Sequence, residues 1–320
     1  MRISNMVCGF LVSIIAAFCA ASVPAEEFDF ALIGDQQYNA AQEVAFLNLI
    51  DDVNKRGMLF IVHDGDFKSG SSPCTDELFL ARRDQFNLFR RPFVFLFGDN
   101  EWTDCHRASG DPLERLTKLR ELFTQGEHSL GGRPMRLRRQ SDDPAYGKFR
   151  ENVMWARLGV VFVGLHIVGS NNNAPTHLAD GSIVGDQAEY DERNAANLAW
   201  MKEAFARARR GVMLIMQANP YENELVDLTD QNGFTDFLTA LQEATIAFRK
   251  PVVLVHGDSH YFRIDKPMRR ADGTAIENFT RVETFGQPDV HWVRGTVDFS
   301  DPNLFSFRQE IIKKNIIPLP

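Results

Sequence analysis

Six short apolar runs, each stopping in a polar cluster, constrain the fold of this chain more than any other feature. The runs are Phe28–Ile33, Met58–Val62, Phe93–Phe97, Gly159–Leu165, Val212–Met216 and Val252–Val255. They are rich in β-branched and aromatic residues and bounded by turn formers, the pattern of buried strands. Between them apolar residues recur at helical spacing. Phe46, Leu47, Ile50 and Val53 predict a helix stopped by Gly57. Leu78, Phe79, Phe86 and Phe89 predict a second, and Leu198, Met201, Phe205 and Ala208 a third ending at Gly211. Phe234, Phe237, Leu238 and Leu241 predict a fourth. Strands alternating with helices read as βαβ units and a largely parallel sheet. The alternating, aromatic stretch from His291 to Phe307 predicts antiparallel strands. No repeat, low-complexity tract or linker divides residues 26–320, which read as one α/β domain.

The polar clusters matter most for chemistry. The strand ends carry Asp35-Gln36-Gln37, Asp64-Gly65-Asp66, Asp99-Asn100-Glu101, His166 with Gly169-Ser170-Asn171, Gln217-Ala218-Asn219, and Asp258-Ser259-His260. In an open α/β sheet the carboxyl ends of parallel strands form the crevice where ligands bind. One Asp after a strand is ordinarily a turn former or a helix cap. A series of six polar ends is hard to explain by capping. Carboxylates, amides and imidazoles converging on one point repel or desolvate each other unless a cation lies between them. The set lacks thiolates, which points to a hard or borderline metal, and its size allows two ions. A two-metal site binds an anionic oxygen substrate and activates water for phosphoester hydrolysis.

The N-terminus reads as an address. Arg2 precedes an apolar stretch from Met6 to Ala21, small residues follow, and Val23-Pro24-Ala25 ends in a small residue before Glu26. This layout predicts a signal peptide over residues 1–25 and an exported, periplasmic or secreted, mature chain. Phe18 before Cys19 argues against lipidation. Cys74 and Cys105, the two cysteines beyond the leader, are expected to form a disulfide; two free thiols or a Cys/His metal pair are the alternatives. Acidic residues outnumber basic ones, 43 to 35, for a net charge of −8, which disfavours non-specific nucleic-acid binding. No apolar run reaches the roughly 20 residues of a membrane span.

At its strand ends the sequence resembles the calcineurin-like metallophosphoesterases, the superfamily that includes purple acid phosphatases. The family pattern is Asp-x-His, Gly-Asp, Gly-Asn-His-(Asp/Glu), a lone His, then Gly-His-x-His, each after a strand. The match runs from residue 28 to about 262. The resemblance implies a four-layer α/β/β/α sandwich of the metallo-dependent phosphatase type. It implies two divalent ions and a bridging water or hydroxide that attacks the phosphorus of a small-molecule monoester or diester. Asp35 then matches the first Asp, Asp66 the bridging Asp and Glu101 the acidic residue of the third motif. Gln37 stands in place of His, Asp99 in place of Asn, and Asn100 in place of the catalytic His. Gln217, with Asn219 as the other candidate, replaces the lone His. Asp258 replaces the first His of the last motif, and His260 matches the second. One ion is expected to see Asp35, Gln37, Asp66 and His260, the other Asp66, Asp99, Gln217 and Asp258.

Fewer nitrogens and more oxygens move the expected metal toward Mg²⁺, Mn²⁺ or Ca²⁺ and away from Fe or Zn. Asn100 supplies no proton near neutral pH. His166, which ends the fourth apolar run, is expected to compensate; a hydrogen-bonded core histidine is its other reading. Arg133, Arg136, Arg138 and Arg139 could contact phosphate or form a solvated loop, and Asn171–Asn173 could donate near the site or form a turn. Substrate specificity is expected from the loops around residues 110–111, 131–146 and 171–185. Two rival readings stand beside the enzyme: a non-catalytic metal- or phosphate-binding protein on the same fold, and a structural or adhesive domain.

Overall fold

A computed structural model describes residues 27–221 and 232–317; the leader expected at residues 1–25 lies outside them. The chain runs β1 (Glu27–Ile33), α1 (Ala40–Asn54), β2 (Ile61–His63), α2 (Asp76–Phe86), β3 (Phe93–Phe95) and α3 (Pro112–Phe123). It continues through β4 (Arg138–Arg139), β5 (Val153–Arg157), β6 (Val160–Gly164), the single turn α4 (Gly169–Asn172), β7 (Thr176–His177) and β8 (Ile183–Val184). Then come α5 (Gln187–Arg207), β9 (Gly211–Ile215), α6 (Thr235–Phe248) and β10 (Val252–His256). Last are β11 (Arg263–Asp265), β12 (Phe279–Glu283), β13 (Trp292–Asp298) and β14 (Phe305–Glu310).

Two sheets result. The first has the order β14-β13-β1-β2-β3 and the second β11-β12-β10-β9-β6-β5-β4. β1, β2 and β3 are mutually parallel, as are β6, β9, β10 and β12. β13 and β14 add the expected antiparallel pair, in register from Trp292 opposite Glu310 to Val297 opposite Phe305. Period-two alternation explains the layering. Phe28, Phe30 and Leu32 of β1 point into a core shared with Phe162, Met213, Ile215, Val253 and Val255 of the other sheet. The intervening Ala31 and Ile33 face Phe46, Leu49, Ile50 and Val53 of α1. The outer face of the second sheet, with Val161, Val163, Leu214 and Leu254, packs on Trp200, Met201 and Ala204 of α5 and on Phe237, Leu238 and Leu241 of α6. These three cores separate four layers, α/β/β/α. Each fully buried aromatic or aliphatic side chain contributes about 1.5–3 kcal/mol of transfer free energy.

The helices differ from the sequence expectation in detail. In α1 the buried face is Phe46, Leu49, Ile50 and Val53, while Leu47 is exposed. Its C-cap is Lys55 rather than the neighbourhood of Gly57, and its N-cap is Asn39. α2 closes at Phe86, so the buried Phe89 lies past its end. α5 ends at Arg207, and Gly211 opens β9. Cys74 and Cys105 are joined by a disulfide, with Cα atoms 5.8 Å apart. No helix among the described residues is long and apolar enough to cross a membrane.

Candidate functional site

The carboxyl ends of β1, β2 and β3 in one sheet and of β6, β9 and β10 in the other meet across the inter-sheet seam. Helix capping does not explain the acidic strand ends. Asp111 and Asp186 cap α3 and α5, but Asp35, Asp66, Asp99 and Asp258 cap none of the described helices. Their backbone is special instead. Asp35, Asp66, Asp258 and His260 have φ of 51°, 62°, 77° and 62°, a left-handed region costly for non-glycine residues and concentrated at functional sites.

Asp66, Asp99 and Asp258 each present a carboxylate oxygen within 4.8 Å of the others. Asp66 is fixed from several sides. Its Oδ1 accepts from the Asn100 main-chain N–H at 3.1 Å. Its Oδ2 accepts from Asn100 Nδ2 at 2.7 Å, Gln217 Nε2 at 3.2 Å and the Tyr38 hydroxyl at 3.3 Å. Its own N–H, with that of Phe67, donates to Glu101 Oε1. Asp258 Oδ1 accepts from Gln217 Nε2 at 3.0 Å, and Oδ2 from the Asn219 N–H at 3.1 Å. Asp99 Oδ2 accepts from Ser170 Oγ at 2.8 Å. Asp99 is only 6% exposed, and its Oδ1 is buried with no hydrogen-bond partner. Asp35 Oδ2 accepts from the Asp258 N–H at 3.0 Å, and Oδ1 lies 3.3 Å from His260 Nε2.

The electrostatics follow from this crowding. Burial, then the charges of Asp99, Glu101 and Asp35, push the Asp66 carboxyl well above its usual range. Burial, then Asp258 and Asp104, do the same to Asp99. Burial lifts Glu101 to about 6. Burial opposes the imidazolium of His260, yet the hydrogen bond to Asp35 and its charge outweigh that and raise it. Lys68, buried against the Ser69 and Asn100 carbonyl oxygens at 2.7 Å each, is lowered by desolvation. A divalent cation removes the repulsion at its source. An all-oxygen set with one orphaned buried oxygen fits a hard cation, so the residues present suit the group the fold implies.

Several sequence expectations for individual residues need correction. Gln37 is tied to α2: its Nε2 donates to Gln85 Oε1 at 2.6 Å and its carbonyl accepts from Arg82, while its Oε1 is buried with no hydrogen-bond partner. Gln217 does reach the carboxylates, but as a donor; its Oε1 is taken by the Gly169 N–H at 2.6 Å, so the amide nitrogen faces Asp66 and Asp258. His166 is a core histidine. It packs beside Phe97 and Trp102, and its Nδ1 lies 3.0 Å from Glu151 Oε1. Burial, opposed by Glu151, lowers it. His63 and His256 are also fully buried, and desolvation takes both down to about 3. Asn100 is at the cleft, its amide committed to Asp66 and Tyr38.

The arginine stretch is structural. Arg138 pairs with Glu203 over Trp200, Arg139 holds the Gly126 and Arg150 carbonyls, and Arg136 pairs with Glu127. Asn171, Asn172 and Asn173 hold the turn and α5 rather than the site: their amides donate to Ala174, Gly233 and Glu189.

Tyr38, Arg107 and Lys68 escaped the sequence reading, and Ser170 was read only as part of a polar strand end. Tyr38 places its hydroxyl among Asp35, Asp66 and His260. Ser170 bridges Asp99 and Asp104. Arg107 pairs with Asp104 at 2.6 Å and lines the cleft. Lys68 lies beneath it. For Tyr38, Lys68 and Arg107 the available signal was position: each stands in, or one turn beyond, a loop that carries a recognised Asp. The cleft has a volume of about 370 Å³. A second cavity of about 550 Å³ shares Asp104 and Arg107 with it and is lined by Leu113, Leu178, Ile183 and Val184. Residues of the 171–185 loop line this cavity, as do Pro112 and Leu113 directly after residues 110–111; the loop at 131–146 contributes none of its lining residues.

A four-layer sandwich with the site at the carboxyl ends of strands from both sheets is the architecture that the strand-end resemblance implies. No protein-family model matches the chain, and no curated protein matches it in sequence. Solved structures similar to it include a dimetal phosphatase from Danio rerio (12% identity, TM-score 0.48, 88% of this chain and 98% of that one). A 5'-nucleotidase from Candida albicans (11%, 0.46, 90% and 52%) and a purple acid phosphatase from yellow lupin (12%, 0.46, 89% and 52%) are also similar. This chain spans about half the length of the latter two. None of these likenesses assigns a role to a residue here.

Proposed function

We infer that the protein is a metal-dependent phosphoesterase acting on a small-molecule phosphate ester. The observation that carries this reading is the convergence of Asp66, Asp99 and Asp258 within 4.8 Å, with Asp99 Oδ1 left without a partner. These three carboxylates would hold a divalent cation of the Mg²⁺, Mn²⁺ or Ca²⁺ kind. A cation bound there supplies Lewis acidity toward a phosphoryl oxygen and lowers the pKa of a coordinated water. Asn100 and Gln217 fix the carboxylate orientations by donating to Asp66 and Asp258. Arg107, at the mouth, offers a guanidinium for bidentate contact with the phosphoryl group. His260 lines the cleft, and Asp35 favours its protonated form, so its imidazolium is the group able to protonate a leaving alkoxide. The apolar cavity beyond Arg107 accommodates the alcohol part of the ester. The signal-peptide layout and the Cys74–Cys105 pairing support action outside the cytosol.

The test is hydrolysis of p-nitrophenyl phosphate and bis-p-nitrophenyl phosphate by Mn²⁺-loaded protein. Turnover that is lost in Asp99→Asn supports the reading. Bound metal without turnover favours the second reading, a non-catalytic binding protein. A specific observation speaks for that alternative: the Asn100 and Gln217 amides already donate to Asp66 and Asp258, satisfying in part the oxygens a cation would use.

A further inference from the structure

The two ends of the cleft are built differently. At one end Asp66, Asp99 and Asp258 face each other. At the other end stand Asp35 and His260, again with Asp66 between them. That second space is filled. The Tyr38 hydroxyl lies 3.2 Å from Asp35 Oδ1, 3.3 Å from Asp66 Oδ2 and 3.3 Å from His260 Nε2, and it accepts from Asn100 Nδ2 at 3.1 Å. Its ring meets the His260 ring at 71°, centroids 5.4 Å apart. An ion using those two carboxylates and that imidazole needs its donors at about 2.0–2.6 Å, which is the region the phenol oxygen occupies.

The loop that delivers Tyr38 also ties the Gln37 amide nitrogen to α2, leaving its Oε1 buried without a partner. Asp35 and Gln37 both have positive φ, 51° and 70°. Across this double left-handed turn the Gln37 amide nitrogen reaches Gln85 on α2 and Tyr38 lines the cleft. Arg82, held by the Phe67 and Gln37 carbonyls and by Glu43, locks the loop in that state.

We propose that Tyr38 is a built-in occupant of one of the two ion positions, so that the cleft takes a single divalent ion, at Asp66, Asp99 and Asp258. This rests on the metal-dependent reading above. It also makes Tyr38 a positioning residue, since its hydroxyl ties Asp35, Asp66 and His260 together.

The experiment is equilibrium dialysis of the full chain against Mn²⁺, with metal content by plasma mass spectrometry and the spin state by electron paramagnetic resonance. The expected result is one Mn²⁺ per chain with an uncoupled hyperfine spectrum, rising to two in Tyr38→Ala. Two ions per wild-type chain, or an exchange-coupled spectrum, overturns the proposal. So does Tyr38→Ala staying at one ion, because the obstruction is then something other than the phenol. If Tyr38→Ala does not fold, the wild-type spectrum still decides. Loading with Fe³⁺ covers the remaining case: a visible phenolate band that vanishes in Tyr38→Phe makes Tyr38 a ligand and overturns its role as occupant. No bound metal in the wild type and no thermal shift with Mn²⁺ removes the metal-dependent reading itself, and this proposal with it.

Discussion

Gly98 makes room for Asp66: a Cβ at residue 98 would lie 2.0 Å from Asp66 Oδ1. The same relationship recurs across the seam, where a Cβ at Gly257 would lie 1.9 Å from Asp35 Oδ2. The glycine of each of these two Gly-Asp pairs therefore serves a carboxylate from another strand end. Gly98→Ala is expected to displace Asp66 and destabilise the fold by about 1–3 kcal/mol, as overpacking does. A thermal melt and Mn²⁺ titration check it; an unchanged Tm with unchanged affinity contradicts it.

Asp99→Asn keeps the volume and removes the charge that meets Asp66 and Asp258. Mn²⁺ affinity should fall about 10–100-fold or more, the range seen when groups around a metal are altered, and hydrolysis should fall with it. Calorimetric titration of wild type and variant gives the comparison, and equal affinities would exclude Asp99 from the ion site.

Arg107 is half exposed and held by Asp104. Arg107→Ala should raise KM about tenfold with kcat little changed, the signature of lost uniform binding, equivalent to about 1.4 kcal/mol. An effect confined to kcat would place Arg107 in the transition state instead.

Burial raises Glu101 to about 6 and Glu283 to about 7. Each binds its proton more tightly in the folded state than in the unfolded state. The stability they contribute is full below the ordinary glutamate value near 4.5 and is lost as pH rises through 6 and 7. Metal-free protein should thus melt at a lower temperature at pH 8 than at pH 5. Glu283→Gln should flatten the decline. A Tm that climbs across this window would refute the assignment.

The disulfide closes a segment spanning 31 residues beside the loop of Asn100, whose carbonyl oxygen lies 3.7 Å from Cys74 Sγ. Cys74→Ser with Cys105→Ser should cost about 3–4 kcal/mol, the chain-entropy value for such a loop. The denaturant midpoint measures it, and a loss under half that size would mean the loop is ordered without the bond.

The layering was legible because alternation in Phe28–Ile33 and its counterparts assigns each side chain a face. The delivery of Asp66, Asp99 and Asp258 to one edge was legible because strand ends share that edge. What a loop side chain does was not. Tyr38 rather than Gln37 lines the cleft, and Gln37 has a φ of 70°, neither of which any residue type announces. Whether Gln217 offers oxygen or nitrogen depends on the Gly169 N–H, 48 positions away. His166 ends an apolar run as a ligand would, but Glu151, held bidentately by Arg120, claims its ring from inside the core.

Asp66 and Asp99 hang from one sheet and Asp258 from the other. An ion among them would be a clasp across the seam, fastening two halves that hydrogen bonds such as Asp258 N–H to Asp35 and Gln217 to Asp66 already join there. Sliding one sheet past the other by an ångström would unseat it. The affinity of the clasp thus gauges how faithfully the sandwich is closed, and a substitution deep between the sheets, such as at Phe30 or Phe162, would be felt at the clasp before it was felt in the melt.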